Sequence, residues 1–333
     1  MITFELLQKV SQAALELRAK PDQLDKVLNP NIDRITVEKI VDLESTDADS
    51  SATIRAESYH SRFFSNSEQR FRELEKSYER LNRPQNLIVM ICCRNHFQFL
   101  KLWLESCDKN MIQVRDRTLV FTLDDEAESQ TKLLSLESYN FDATRYENGG
   151  QSDNFGDPNF SGAMYYKNAA ICESLKLGAN LLFQDVDLIW LRDPLPYLTK
   201  NNLESDLQIM FDGCNPWHYP YYANSGFIYI RNCDASKAVF ETAFLNTSNI
   251  FQCGGHQSPL NRILHHFVIH NVLSLKILPE ALFLNGHLFN LVTGVMANAG
   301  DWQNDGLVVH YSWTGNCEEK TRKLEKFNLT EYE

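Results

Sequence analysis

Residues 179–195 read ANLLFQDVDLIWLRDPL. The opening ANLLF is an apolar run of strand length with no polar alternation, the pattern of a strand covered on both faces. Two carboxylates, Asp185 and Asp187, appear where that run gives out. If the backbone stayed extended they would share one face, and carboxylates so close repel unless a cation lies between them. Hard oxygen donors of this kind suit a divalent Mg2+ or Mn2+ ion.

Outward from this stretch the texture alternates. Upstream lie the apolar runs LIVMICC (87–93) and RTLVFTLD (117–124), separated by the helix-patterned FQFLKLWLESC (97–107). KNAAICESLKLG (167–178) reads as a helix ended by Gly178, and DLQIMF (206–211) and SGFIYIRN (225–232) as two further strands. Strands alternating with helices predict a Rossmann-like α/β/α sandwich with a mostly parallel central sheet from about residue 85 onward. Ligands of such sheets bind beyond the C-terminal strand ends. That rim would hold Cys93, Arg94 and Asn95 after the first strand and Asp124 after the second, as candidates to read a nucleoside. A salt bridge for Arg94 and a solvated loop for Asp124 and Asp125 are the plainer alternatives. Asp212 and Asn224 end and open neighbouring strands, where they would hydrogen-bond a ligand or serve as a strand cap and a turn residue.

Residues 1–84 are charged and helix-patterned, interrupted at Pro21, Pro30 and the acidic DLESTDADSSA (42–52), and are expected to form a helical extension. The first twenty residues have helical periodicity without a secretory h-region, and no segment is apolar enough to span a bilayer. A cytosolic protein and the soluble portion of a Golgi-type enzyme both fit, and oligomeric state is not legible. The 333-residue chain is 43% hydrophobic with a net charge of -12; its pI is near 5.3 and its mean hydropathy -0.36. Such a charge excludes a nucleic-acid partner in the first instance, because phosphate backbones are bound by clustered Lys and Arg. The eight cysteines form no C-x-x-C pair and read as free thiols. Three N-x-[ST] triplets, at Asn159, Asn246 and Asn328, would permit glycosylation in a secretory lumen.

Near the end, GLVVHYSWTGNCEEK (306–320) leads a strand-like LVV into His310. Imidazole is a suitable third metal ligand, Gly315 would let backbone approach a phosphate, and Lys320 would neutralise one of its oxygens. The aromatic loop NPWHYPYYANSG (215–226) offers flat faces to a sugar ring, although core packing explains it equally well.

Taken in order, the stretch from Lys167 through QDVDLIWLRDPL, then N224SGFIYIR, Q257SPLN, L282FLNG and VVH310YSWTG with Lys320, resembles the nucleotide-diphospho-sugar transferases of glycosyltransferase family seventy-seven. The resemblance covers roughly residues 87–325. It implies a GT-A fold, a UDP-sugar donor of galactose, xylose or arabinose type, a Mn2+ (or Mg2+) ion, retention of anomeric configuration and a glycan or glycoprotein acceptor. By the same resemblance Asp185, Asp187 and His310 bind the metal, Lys320 contacts phosphate, Lys167 touches phosphate or donor sugar, and Gln257 lies near the anomeric carbon opposite the leaving phosphate. The family commonly has Asp before that Gln, whereas this chain has His256, which puts the donor sugar in doubt. No second carboxylate pair suited to a covalent intermediate stands out, so front-face displacement is the expected chemistry, with Gln257, Asp212 and Lys167 closest to the reacting carbon. Two rivals are a catalytically weak nucleotide-sugar binder and a metal-dependent phosphohydrolase. The latter needs a nucleophilic Asp after its first strand, and LIVMICCRN has none.

Overall fold

The structure, a computed structural model, describes residues 50–64, 67–141, 158–200, 205–213, 221–286, 306–312 and 318–322. The expectations for residues 1–49, Gly315, Trp217, Tyr219, Trp313 and Asn328 lie outside the described residues.

Two helices, α1 (Ser50–Phe64) and α2 (Ser67–Arg80), precede β1 (Asn86–Cys92), α3 (Phe97–Lys109), β2 (Thr118–Thr122), α4 (Asp125–Leu133) and β3 (Glu137–Asn140). There follow α5 (Pro158–Leu175), β4 (Asn180–Gln184), β5 (Leu188–Trp190), α6 (Leu195–Lys200), β6 (Leu207–Phe211) and β7 (Ala223–Ile230). The remaining elements are α7 (Asp234–Leu245), α8 (Thr247–Cys253), α9 (Gln257–Ile269), β8 (Leu275–Ile277), β9 (Phe283–Asn285) and β10 (Val308–His310). Seven strands make one sheet in the order β3-β2-β1-β4-β7-β6-β8, and three make a second in the order β5-β10-β9. In the large sheet only β7 opposes its neighbours; β3, β2, β1 and β4 run parallel, as do β6 and β8.

The apolar runs partition by residue parity. Leu87, Val89, Leu119, Phe121, Leu181, Phe183, Ile228 and Ile230 fall in one buried cluster. Ile88, Met90, Val120, Leu182, Phe227 and Tyr229 fall in the other. Alternate side chains of a strand point to opposite faces, so each run feeds two cores and the sheet is dry on both sides. The first cluster is closed by Phe63, Leu74, Tyr165, Phe240 and Leu264 of α1, α2, α5, α7 and α9. The second is closed by Trp103 and Leu104 of α3 and by the small sheet. This bears out the α/β sandwich with a mostly parallel sheet. It also shows α1 and α2 built into the core. Trp190 is core: its ring meets Trp103 edge to face with centroids 5.6 Å apart, and Nε1 donates to Gln184 Oε1 at 2.9 Å. Gly178 lies beyond α5 with φ +88, the left-handed region glycine enters without strain.

The backbone does not stay extended through the two aspartates, and ANLLFQDVDLIW, which could be read as one strand, is two: β4 ends at Gln184 and β5 begins at Leu188, each in its own sheet. The two aspartates occupy the bend between them, because β5 leaves the large sheet to pair with β10. Among the described residues no helix is long and apolar enough to cross a membrane.

Candidate functional site

Strand direction gathers the site. The ends of β1, β2, β4 and β6 lie on one rim, and because β7 runs antiparallel to β4 its first residues arrive at that rim too. Gln184 pairs with Phe227, and Asp185 N donates to Gly226 O at 2.9 Å, so Asn224 to Gly226 stand beside the first carboxylate. The small sheet supplies the third ligand type. His310 pairs with Leu188, and Tyr311 N donates to Asp187 O at 3.1 Å. This register sets His310 Nε2 at 3.4 Å from Asp187 Oδ1 and 3.9 Å from Asp185 Oδ2.

The remaining oxygen of each carboxylate holds a lysine. Lys167 Nζ is 2.6 Å from Asp185 Oδ1, and Lys320 Nζ is 2.6 Å from Asp187 Oδ2. Burial alone would push the Asp187 carboxyl up, but the Lys320 ammonium and the His310 imidazole hold it well below the usual carboxylate range. The resemblance placed Lys320 at phosphate and Lys167 at phosphate or donor sugar; in the structure each ammonium pairs with one of the two carboxylates.

A divalent ion fits this donor set. One ligand atom from each of Asp185, Asp187 and His310 falls within 4.8 Å of the others, and two carboxylates with an imidazole suit Mn2+ or a similar ion. Gly226 keeps the space open: a Cβ there would sit 2.3 Å from His310 Cε1 and 2.6 Å from Asp185 Oδ2. His310 Nδ1 is buried, with no hydrogen-bond partner among the described residues.

Beside this centre a second network forms. Gln257, first residue of α9, donates through Nε2 to Asp212 Oδ2 at 2.8 Å and accepts at Oε1 from Ser225 N and Oγ, both at 3.1 Å. Asn224 Nδ2 donates to the other oxygen of Asp212, and its Oδ1 accepts from Gly226 N at 2.8 Å. Asn261 fixes α9 against β7 by pairing with both Ala223 backbone groups. Asp212, Asn224 and Gln257, expected at the reacting carbon, are thus one connected unit. His256, just before α9, is 4% exposed. Burial, reinforced by the Lys167 ammonium, keeps its imidazole pKa well below the ordinary value, and its Nε2 has no partner among the described residues.

On the far side, Asp124 caps α4: Oδ1 accepts from Ala127 N at 2.8 Å and Oδ2 from Arg94 N at 2.9 Å. That ties the loop carrying Cys93, Arg94 and Asn95 to the end of β2, and gives Asp124 a structural duty unrecognised in its sequence. Among the described residues six cysteines are free, three of them buried.

Gly226, Ser225, Asn261 and Gly286 went unassigned. A Cβ at Gly286 would lie 1.8 Å from Ser312 O, so only glycine lets the β9 end pass the chain after His310. The quoted N224SGF and L282FLNG carried these glycines, but spacing alone could not say what they approach.

Residues 113–325 match the model of the nucleotide-diphospho-sugar transferases. The chain belongs to this family. Among curated relatives, this transferase is 29% identical over 164 residues to a beta-arabinofuranosyltransferase of Arabidopsis thaliana, covering 48% of the chain and 30% of that protein. It is 26% identical over 192 residues to a UDP-D-xylose:L-fucose alpha-1,3-D-xylosyltransferase of the same plant, covering 53% of the chain and 49% of that protein. The chain therefore spans half or less of the length of these relatives. Among solved structures, the galactosyltransferase LgtC overlays with a TM-score of 0.41 and 15% identity, covering 74% of this transferase and 97% of that chain.

Proposed function

We propose that this transferase moves a sugar from a UDP-sugar to a glycan or glycoprotein acceptor, with retention and with dependence on a divalent metal. The observation that carries the reading is the convergence of Asp185, Asp187 and His310 from two sheets, beside the Asp212, Asn224 and Gln257 network. A Mn2+ (or Mg2+) ion held by the first three would supply positive charge against the departing diphosphate.

The chain's own residues do the rest. Asp212 and Asn224 hydrogen-bond donor-sugar hydroxyls, and Gln257 presents an amide, immobilised by Asp212 and Ser225, to the face of the anomeric carbon opposite the leaving group. Lys167 and Lys320 add positive charge near the leaving phosphate. Cys93, Arg94, Asn95 and Asp124 form the nucleoside end, and Gly315 lets backbone approach the phosphates. The acceptor oxygen bonds to the anomeric carbon as the bond from that carbon to the β-phosphate oxygen breaks, and the acceptor proton passes to that oxygen. Front-face displacement is supported by the engagement of the rim carboxylates. Asp185 and Asp187 hold lysines, and Asp212 accepts from two amides, so none of these three stands free as a glycosyl nucleophile. The GT-A arrangement, membership of family seventy-seven, and a catalytic domain over 85–333 preceded by a helical segment whose α1 and α2 help to close its core belong to this proposal. The names of the two plant relatives favour a pentose donor.

The test is UDP release from UDP-xylose, UDP-arabinose and UDP-galactose with Mn2+ present. One donor turned over well above the others supports the reading and identifies the sugar; no release from any, with no UDP binding by calorimetry, refutes it.

A further inference from the structure

Each carboxylate of the candidate metal site carries an ammonium on one of its oxygens. Lys167 and Lys320 each sit 2.6 Å from one oxygen of Asp185 and Asp187, leaving the other oxygen of each carboxylate turned toward His310. Two carboxylates against two ammoniums sum to zero. Neither lysine is a loose surface group. Lys167 is 1% exposed, within α5, with its Nζ 5.0 Å from the centroid of the Phe183 ring. The Lys320 ammonium lies 5.8 Å from the centroid of Phe99 and is mostly buried, on the helical turn 318–322. An ion entering between the carboxylates and His310 would be drawn by two negative charges and repelled by two positive ones that sit behind them on the far carboxylate oxygens, and in a partly buried site the repulsion offsets a substantial part of the attraction.

We propose that Lys167 and Lys320 are charge-balancing, positioning residues that make metal and nucleotide binding mutually dependent. Each ammonium orients its carboxylate so that one oxygen faces His310, and together they withhold the excess negative charge that would retain a bare cation. The diphosphate supplies it. Its anionic oxygens draw on both ammoniums and on the ion, so each ligand strengthens the other by the same factor. This inference rests on the functional reading above, and goes beyond it by stating why the ion alone binds poorly.

The test is a titration of Mn2+, followed by calorimetry and by the spin resonance of the free ion, with and without saturating UDP, on the intact chain and on Lys320→Met. Met keeps the length of the side chain and removes its charge. For the unaltered protein Mn2+ binds at least about tenfold more tightly with UDP than without, a coupling in the range of ordinary linked sites. For Lys320→Met, Mn2+ alone binds several-fold more tightly than to the unaltered protein, and the enhancement by UDP shrinks. A merely structural lysine would give the opposite sign, since loss of packing weakens the site. Lys320→Arg, which keeps the charge, shows no such gain in affinity for Mn2+ alone, and a thermal melt of the Met variant guards against a folding defect. Coupled binding in the unaltered protein, with Mn2+ affinity unchanged or weakened in Lys320→Met, overturns this inference and leaves the transferase reading intact. Failure of the unaltered protein to bind Mn2+ and UDP together overturns both.

Discussion

Gly226 and His310 stand so close that a single added methyl would put 2.3 Å between Cβ and Cε1. The same methyl would lie 2.6 Å from Asp185 Oδ2. Because His310 is buried and pinned by the β5 pairing, it cannot swing clear. Gly226→Ala should therefore separate two of the three ligands, lowering Mn2+ affinity in the presence of UDP by more than about tenfold, at a stability cost of about 1–3 kcal/mol. Calorimetry with UDP and a thermal melt check both halves; unchanged metal affinity would show that the gap at Gly226 does not serve an ion.

Gln257 is held at both ends of its amide, by Asp212 and by Ser225. Truncation to Ala removes the group facing the anomeric carbon and leaves a buried carboxylate short of a donor. We expect kcat to fall by about 10²-fold, as for loss of one oriented polar group, with UDP affinity nearly unchanged. A loss confined to UDP binding would move Gln257 away from the reacting carbon.

Asp124 separates into two duties by substitution. Asn caps helices as well as Asp but cannot also accept from Arg94 N, so Asp124→Asn should keep the cap and lose about 1 kcal/mol with the second hydrogen bond, while weakening UDP binding if the carboxylate reads the nucleoside. Asp124→Ala should cost about 1 kcal/mol of stability through the lost cap. Equal UDP affinity in Asp124→Asn and the unaltered protein would confine the residue to capping.

His266 supplies a pH dependence away from the site. Burial, with a smaller contribution from His270, lowers its pKa from 6.5 to about 4. Between those values the unfolded chain takes up a proton that the folded chain refuses, so stability falls as pH drops from about 6.5 toward 4. His266→Gln should flatten that part of a denaturation profile; an unaltered slope would assign the acid sensitivity elsewhere.

How much of this was legible in the sequence differs by range. Five of the seven strands of the large sheet announced themselves, because runs such as LIVMICC and RTLVF must satisfy two cores at once, and their parity is visible locally; the edge strands β3 (ESYN) and β8 (LKI) did not, being short and without an apolar run. Asp185 and Asp187 were legible as a pair, and the triplet around Asn224 as a strand start. The bend that separates β4 from β5 was not, since nothing in QDVD marks a change of sheet. That change is decided by β10, far along the chain. The attachment of Lys320 to Asp187, 133 positions apart, was hidden for the same reason: long-range strand pairing places it. His256 is a partial case. Its departure from the family pattern was readable, whereas its burial, neutral imidazole and unpartnered Nε2 were not.

The central claim is that metal held by Asp185, Asp187 and His310 is needed for sugar transfer. The most direct measurement is UDP release from the preferred UDP-sugar by the unaltered chain and by Asp187→Asn, each after chelation and again after Mn2+ is restored. The account predicts that chelation abolishes release by the unaltered chain and that Mn2+ restores it, while the folded Asp187→Asn protein stays at least about 10²-fold slower in every condition. Release that survives chelation, or an Asp187→Asn variant that matches the unaltered chain with Mn2+ present, would contradict it.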